Sequence, residues 1–249
     1  MAIADGPQSD ETIPKMSDWE GKQRILVILA HPDDPEFFCG GMIAKWVNDG
    51  HRVDYLLMTK GEKGINDHFD DVNGIIAIRE VEQRNAADVL GVCEIRYLDY
   101  LDGSIYPDLP ARQKVTAAIR DHKPDIIVTC DPTNYYMNDN YINHPDHRAA
   151  GQIVVDAVFP GVQNKLYFPE LIEQGYEPHH VREIWISLPK DPNTIIDVTN
   201  EWPKKMAALE CHRSQIGELE TFREHMQQRG FDRDGEIHFE EKFHRIIFR

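Results

Sequence analysis

Residues 25–30, Ile-Leu-Val-Ile-Leu-Ala, form an unbroken apolar run that gives way at once to His31-Pro32-Asp33-Asp34. A short run rich in Ile and Val, without polar alternation, reads as a strand buried on both faces, as in a parallel sheet. In open α/β sheets ligands bind outside the carboxyl ends of the strands, which is where the imidazole, the proline and the two carboxylates stand. Three ionisable side chains within four residues are costly to fold around unless something pairs with them. A metal ion is the simplest partner, because it takes neutral imidazole and carboxylate together.

The rest of the chain repeats the alternation that such a strand implies. Helical spacing over Phe37 to Asn48 ends at Gly50, a C-cap residue. A strand is expected at Arg52 to Met58, then a glycine-punctuated loop, Thr59 to Gly64, and a helix from Ile75 to Leu90 closed by Gly91. A strand at Ile95 to Leu98, a helix at Ala111 to Asp121 and a strand at Asp125 to Cys130 follow. After the long loop Asp131 to Asn143 comes a helix from Pro145 to Val158. Strands at Arg182 to Leu188 and Thr194 to Val198, helices at Pro203 to His212 and Glu218 to Arg229, and a strand or hairpin at Ile237 to Phe248 complete the pattern. This predicts an α/β fold, a Rossmann-like three-layer α/β/α sandwich with a mostly parallel sheet. There is no repeat, low-complexity tract or linker, so residues 21–249 read as one domain behind a polar extension over residues 1–20.

Composition narrows the function classes. A formal net charge of -16 without a compensating basic patch argues against a nucleic-acid or anionic-membrane partner. No apolar stretch approaches the roughly 20 residues needed to span a bilayer, and the N-terminus lacks the regions of a signal peptide. Cys39, Cys93, Cys130 and Cys211 are widely spaced with no Cys-x-x-Cys pair. Cys93 and Cys130 read as buried thiols in a reducing compartment, which predicts a cytoplasmic location. No Gly-x-Gly-x-x-Gly or phosphate loop anchors a nucleotide, and no Gly-x-Ser-x-Gly elbow presents a serine nucleophile.

A second constellation, His144-Pro145-Asp146-His147-Arg148, follows the fourth expected strand, so a parallel sheet brings it to the same edge as His31. Proline suits the first turn of a helix and Asp146 suits its positive end. Alone, the first motif could be a capping turn and the second an exposed loop. Together they make coincidence a poor account. Two histidines and a carboxylate leave coordination positions open, as catalytic zinc requires.

At these residues the chain resembles the PIG-L/LmbE-type deacetylases, zinc-dependent hydrolases that remove acyl groups from N-acylated amino sugars. The resemblance spans nearly the whole chain. Its anchors are Ala30 to Asp34 with Gly40-Gly41, Thr59 to Glu62, Arg79 to Glu82 running to Leu90-Gly91, Asp102-Gly103, and His144 to His147. Fainter echoes are Asp197-Val198-Thr199 and His212-Arg213-Ser214-Gln215. The resemblance implies His31, Asp34 and His147 as metal ligands and Asp33 as the general base. It implies His144 as the group that stabilises the oxyanion and helps protonate the leaving amine, with Asp146 orienting it or tuning its pKa. Arg79 and Asp102 match positions that hydrogen-bond sugar hydroxyls. Zinc is the implied metal, iron(II) and cobalt(II) tolerate the same ligands, and relatives form trimers or hexamers.

Other features carry less. Arg79 and Glu82, three apart on a helix, also read as a surface ion pair, and Asp102-Gly103 as a turn. Tyr135, Tyr136, Tyr141 and the asparagines of the 131–143 loop could stack on a sugar or simply be solvated. His179-His180 reads as solvated. Two further function classes remain: an iron(II) oxygenase using the two-histidine, one-carboxylate triad, and a non-catalytic sugar-binding relative.

Overall fold

The computed structural model describes residues 19–64 and 71–248. The expected polar extension lies outside the described residues except for Trp19 and Glu20. A seven-stranded sheet runs through the middle in the order β3-β2-β1-β4-β7-β11-β8. Its parallel part comprises β1 (Arg24–Leu29), β2 (Arg52–Thr59), β3 (Glu94–Tyr100), β4 (Ile126–Cys130) and β7 (Glu183–Ser187). β11 (Glu240–Ile247) adds antiparallel to β7, and β8 (Thr194–Asp197) closes that edge.

Period-two alternation along β1 divides the core. Ile25, Val27 and Leu29 face one layer, with Met42, Ile43 and Trp46 of α1 (Asp34–Asn48) and Ala86, Ala87 and Leu90 of α2 (Val72–Leu90). Leu26, Ile28 and Ala30 face the other, with Val115 and Ile119 of α3 (Leu109–His122) and Ala150, Ile153 and Val154 of α4 (Pro145–Asp156). Burial on both faces is why the run shows no polar alternation. Gly91 ends α2 in the left-handed conformation, with φ +85°.

The chain winds from β1 out to β3, then crosses back to place β4 on the other side of β1. That reversal opens a crevice between the carboxyl ends of β1 and β4, where doubly wound sheets bind ligands. Residues 31–34 leave β1 there, and residues 131–147 leave β4 there. The return helix α4 lies close on the strand because Gly151 has no side chain; a Cβ there would stand 2.2 Å from the Cys130 carbonyl oxygen.

Several expectations are corrected. The 131–143 loop contains a small hairpin, β5 (Tyr136–Asn138) and β6 (Tyr141–Ile142). α4 stops at Asp156 and passes into a π-helical stretch, Ala157–Val162, because Pro160 cannot donate to a continuing helix. The segment expected as one strand or hairpin, Ile237 to Phe248, divides between β10 (Glu236–His238), which pairs with β9 (Phe231–Arg233), and β11. Helices α5 (Pro169–Glu173), α6 (Trp202–Leu209), α7 (Arg213–Ile216) and α8 (Leu219–Gln227) fill the remainder, and the helix expected to reach His212 ends at Leu209. Cys130 is buried, but Cys93 is exposed, since it precedes β3 at the edge of the sheet. Among the described residues no helix is long and apolar enough to cross a membrane.

Candidate active site

The chain leaves β1 through a turn in which Asp33 holds φ +84°, a conformation that disfavours a side chain. α1 begins at the next residue, with Pro35 in its first turn. This geometry separates the two carboxylates. The backbone N–H of His31 donates to Asp34 Oδ2 at 2.8 Å. The Asp34 oxygens face His147 Nε2 at 3.0 Å and His31 Nδ1 at 3.4 Å. Asp33 instead accepts from Arg79 Nη2 at 3.0 Å.

Each histidine is oriented by its other nitrogen. His147 Nδ1 lies 3.0 Å from Asn143 Oδ1. His31 Nε2 lies 3.2 Å from Asp102 Oδ1 and 3.3 Å from Asp146 Oδ2. With acceptors at these positions, a neutral ring keeps its proton on His31 Nε2 or His147 Nδ1 and turns the lone pair of His31 Nδ1 or His147 Nε2 the other way, the orienting arrangement found around metal-bound imidazoles. A tetrahedral centre with bonds of about 2.0–2.1 Å sets neighbouring donors roughly 3.3 Å apart. Asp34 meets the two histidines at 3.0 and 3.4 Å, but with a different oxygen for each. The groups whose ligand atoms all lie within 4.8 Å of one another among the described residues are His31, His144 and His147, and His31, Asp102 and Asp146; the expected set of His31, Asp34 and His147 is not one of them.

The carboxylates around His31 favour its charged form. Burial alone would lower the pKa of His31, but Asp102, Asp146 and Asp34 around it push it up to about 12. Burial would raise that of Asp34, but His147 and then His31 hold it well below the ordinary carboxylate range. Asp102 is likewise held down, to about 2, by His31 against its burial. Asp33 differs. Burial raises it to about 6, with Asp34 adding to the rise and Arg79 opposing it. Burial, His31 and His147 lower His144 below its ordinary value of 6.5, which favours its neutral form. Because His144 Nδ1 accepts from the backbone N–H of Asp146 at 3.2 Å, the neutral ring carries its proton on Nε2.

His31, Asp33, Asp34, Arg79, Asp102, His144 and His147 all border one cavity of about 950 Å³. Asp146 is buried beneath it, where its carboxylate accepts from the backbone N–H groups of Gly103 at 2.7 Å and Ile105 at 3.3 Å and faces His31. Arg79 is buried rather than on the surface and makes no pair with Glu82. It donates to the carbonyls of Gly61 and Pro32, each at 2.7 Å, and to Asp33. Glu82 instead accepts from Ser214. Both Asp102 oxygens are engaged, by His31 and by the backbone N–H of Lys63 at 3.1 Å. Met137, Asn138, Asn140 and Tyr141 of the hairpin also line it, while Tyr135 and Tyr136 do not. His179 hydrogen-bonds the Pro124 carbonyl away from the cavity.

Sequence reasoning missed Asn143 and Gln83, whose Oε1 accepts from the Asp33 backbone N–H at 2.7 Å. Asn143 stands just before the N-cap His144 and reaches His147 across the first turn of α4.

Comparison with known proteins follows the same lines. Residues 26–158 match the family model described as GlcNAc-PI de-N-acetylase (PIG-L). A diacetylchitobiose deacetylase of Thermococcus kodakarensis is 33% identical over 79% of this chain and 71% of its own length. A probable N-acetyl-alpha-D-glucosaminyl L-malate deacetylase of Bacillus anthracis is 27% identical over 79% of this chain and 83% of its own. Among solved structures, the N,N'-diacetylchitobiose deacetylase of Pyrococcus horikoshii superposes with a TM-score of 0.81 at 27% identity, covering 90% of this chain and 84% of that one. The sandwich, the crevice at the strand reversal and the two histidine motifs thus coincide with the family match, and this chain belongs to the GlcNAc-PI de-N-acetylase (PIG-L) family.

Proposed function

We propose that this protein is a metal-dependent amide hydrolase that removes the N-acetyl group from an N-acetylglucosamine-type sugar or glycoconjugate. His31, Asp34 and His147 would hold the metal. The observation that carries the reading is the division of labour between adjacent carboxylates: Asp34 turns both oxygens to histidines, while Asp33 is held beside them by Arg79 with its pKa raised to about 6. A bound metal ion would activate a water molecule and polarise the amide carbonyl. Asp33 accepts the proton of the attacking water, and a base with this pKa is ionised at neutral pH yet able to release the proton again. His144 offers its Nε2–H to the amide oxygen as negative charge develops there. The departing nitrogen takes back the proton that Asp33 received from the water, which balances the hydrolysis to acetate and free amine, while the Nε2–H of His144 stays in place as a hydrogen-bond donor. Asp146 supports this by fixing the rings of His31 and His144.

Zinc is the metal we assign, and iron(II) or cobalt(II) would suit the same donors. Arg79 steadies Asp33 and borders the substrate, and Asp102 stands at the cavity wall to meet a sugar hydroxyl. The names of the relatives, all acting on N-acetylated amino sugars, support a small glycoside as substrate rather than nucleic acid or membrane. Four free cysteines support a cytoplasmic setting, and we expect self-association as trimers or hexamers over a single domain, residues 21–249. The test is an acetate-release screen over N-acetylated sugars with metal-loaded and chelator-treated protein. Chelator-sensitive release of acetate is expected; no release from any such sugar by the loaded protein would overturn the reading.

A further inference from the structure

Behind Asp33 lies a buried polar chain that the reaction does not itself use. Gln83, Glu36 and His212 are each 0% exposed. Gln83 Oε1 accepts from the Asp33 backbone N–H at 2.7 Å, and Gln83 Nε2 donates to Glu36 at 3.1 and 3.2 Å. Glu36 is further met by the Tyr55 hydroxyl and by His212 Nε2, each at 3.1 Å. We infer that Gln83 is a positioning residue for the general base, oriented by Glu36 and His212, and that the His212-Arg213-Ser214-Gln215 turn buttresses the active site through it. The inference rests on the assignment of Asp33 as base.

The direction of the chain follows from donor and acceptor counts. Tyr55 and His212 already aim donors at Glu36, so its oxygens serve as acceptors and turn the NH₂ of Gln83 toward themselves and the Gln83 oxygen toward Asp33. With the amide reversed, its NH₂ would meet the Asp33 N–H donor to donor, leaving a buried donor unsatisfied. The Asp33 N–H needs this acceptor because its residue has the left-handed φ of +84° at the start of α1. Arg79 holds the side chain of Asp33 and the preceding carbonyl of Pro32, and Gln83 holds the amide between them. His212 supplies the donor that balances Glu36. Its own position is fixed one residue along α2, where Glu82 accepts from the Ser214 backbone N–H at 2.7 Å and hydroxyl at 2.6 Å. Consecutive residues of α2 thus grip the turn and pass its position to the base.

The experiment is a double-mutant cycle of Gln83→Met with Asp33→Asn, reading kcat, KM, metal stoichiometry and amide hydrogen exchange at residue 33. Gln83→Met should lower kcat about tenfold to a hundredfold, the scale of an ångström-level misplacement. KM and metal content should hold, and the amide of Asp33 should exchange faster. In the D33N background the same substitution should change residual turnover by less than about twofold, since the two residues act as one unit. Equal losses in both backgrounds, or an unchanged kcat for Q83M, would overturn the inference. Wild-type turnover in D33N with full metal would instead remove the base assignment on which it stands. If Q83M does not fold, Glu36→Gln, which keeps volume but no longer dictates the orientation of Gln83, carries the same expectations and the same refutation.

Discussion

Replacing Gly151 with alanine should damage the site more than the fold. The added Cβ would stand 2.2 Å from the Cys130 carbonyl oxygen, 3.0 Å from its carbon and 3.2 Å from Pro132 N. Even a close carbon–oxygen contact needs about 3.3 Å, so the shortfall is roughly 1 Å. β4 cannot yield, because it is paired with β1 on one side and β7 on the other. Helix α4 must therefore back away. Overpacking costs about 1–3 kcal/mol, and alanine returns about 1 kcal/mol of helix propensity. The net loss of stability is thus about 0–2 kcal/mol, readable as a shifted urea midpoint. The same helix carries His147, whose Nε2 lies 3.0 Å from Asp34 Oδ1, and has His144 at its N-cap. Metal sites tolerate about 0.2 Å in ligand distance, and an ångström of misplacement costs about a hundredfold in rate. Metal retained after dialysis and kcat should both fall far more than the urea midpoint suggests. A G151A protein that keeps wild-type metal content and turnover would refute the claim that the approach of helix to strand sets the position of His147.

Other substitutions separate the roles of individual groups. Asp33→Asn should keep the metal and lose about 10²–10⁴ in kcat, the range for a general base; acetate release at wild-type rate with equal metal content would remove Asp33 from that role. Asn143→Ala leaves His147 Nδ1 without its acceptor, so metal affinity should fall about 10–100-fold. Competition with a chromogenic chelator measures this, and unchanged affinity would count against His147 as a ligand. Far from the site, burial would raise the pKa of Asp54, but hydrogen bonds from His122 and Arg52, each at 2.7 Å, hold it below the ordinary 3.8. A depressed carboxylate stabilises the fold above its unfolded pKa and loses that contribution as pH falls through the folded value. The stability gap between wild type and Asp54→Asn should therefore be constant above about pH 4 and close below it; a gap that persists at low pH would contradict the shift.

What could be read in the sequence depended on whether neighbouring residues reported it. β1 was legible because burial on both faces leaves an unbroken apolar run, and the site was legible because both histidine motifs stand where strands end at the sheet reversal. The antiparallel insertion of β11 between β7 and β8 was not, since strand pairing leaves no trace in local period. Nor was the solvent exposure of Cys93, which depends on β3 being an edge strand. Arg79 shows where the reading fell short for a reason that transfers. Taken as a pair three residues apart, Arg79 and Glu82 look like surface charges. Yet the buried face of α2 is Ile75, Arg79, Glu82, Gln83, Ala86, Ala87 and Leu90, so the polar side chains lie within the apolar stripe rather than opposite it. A surface helix keeps its charges on the far side of that stripe. Polar residues sharing the apolar face at helical spacing can be buried only if fixed partners satisfy them. Here the partners are Asp33, the turn after Leu209 and the carbonyls of two site loops. The stripe itself was therefore the signal that α2 turns a polar end toward the chemistry.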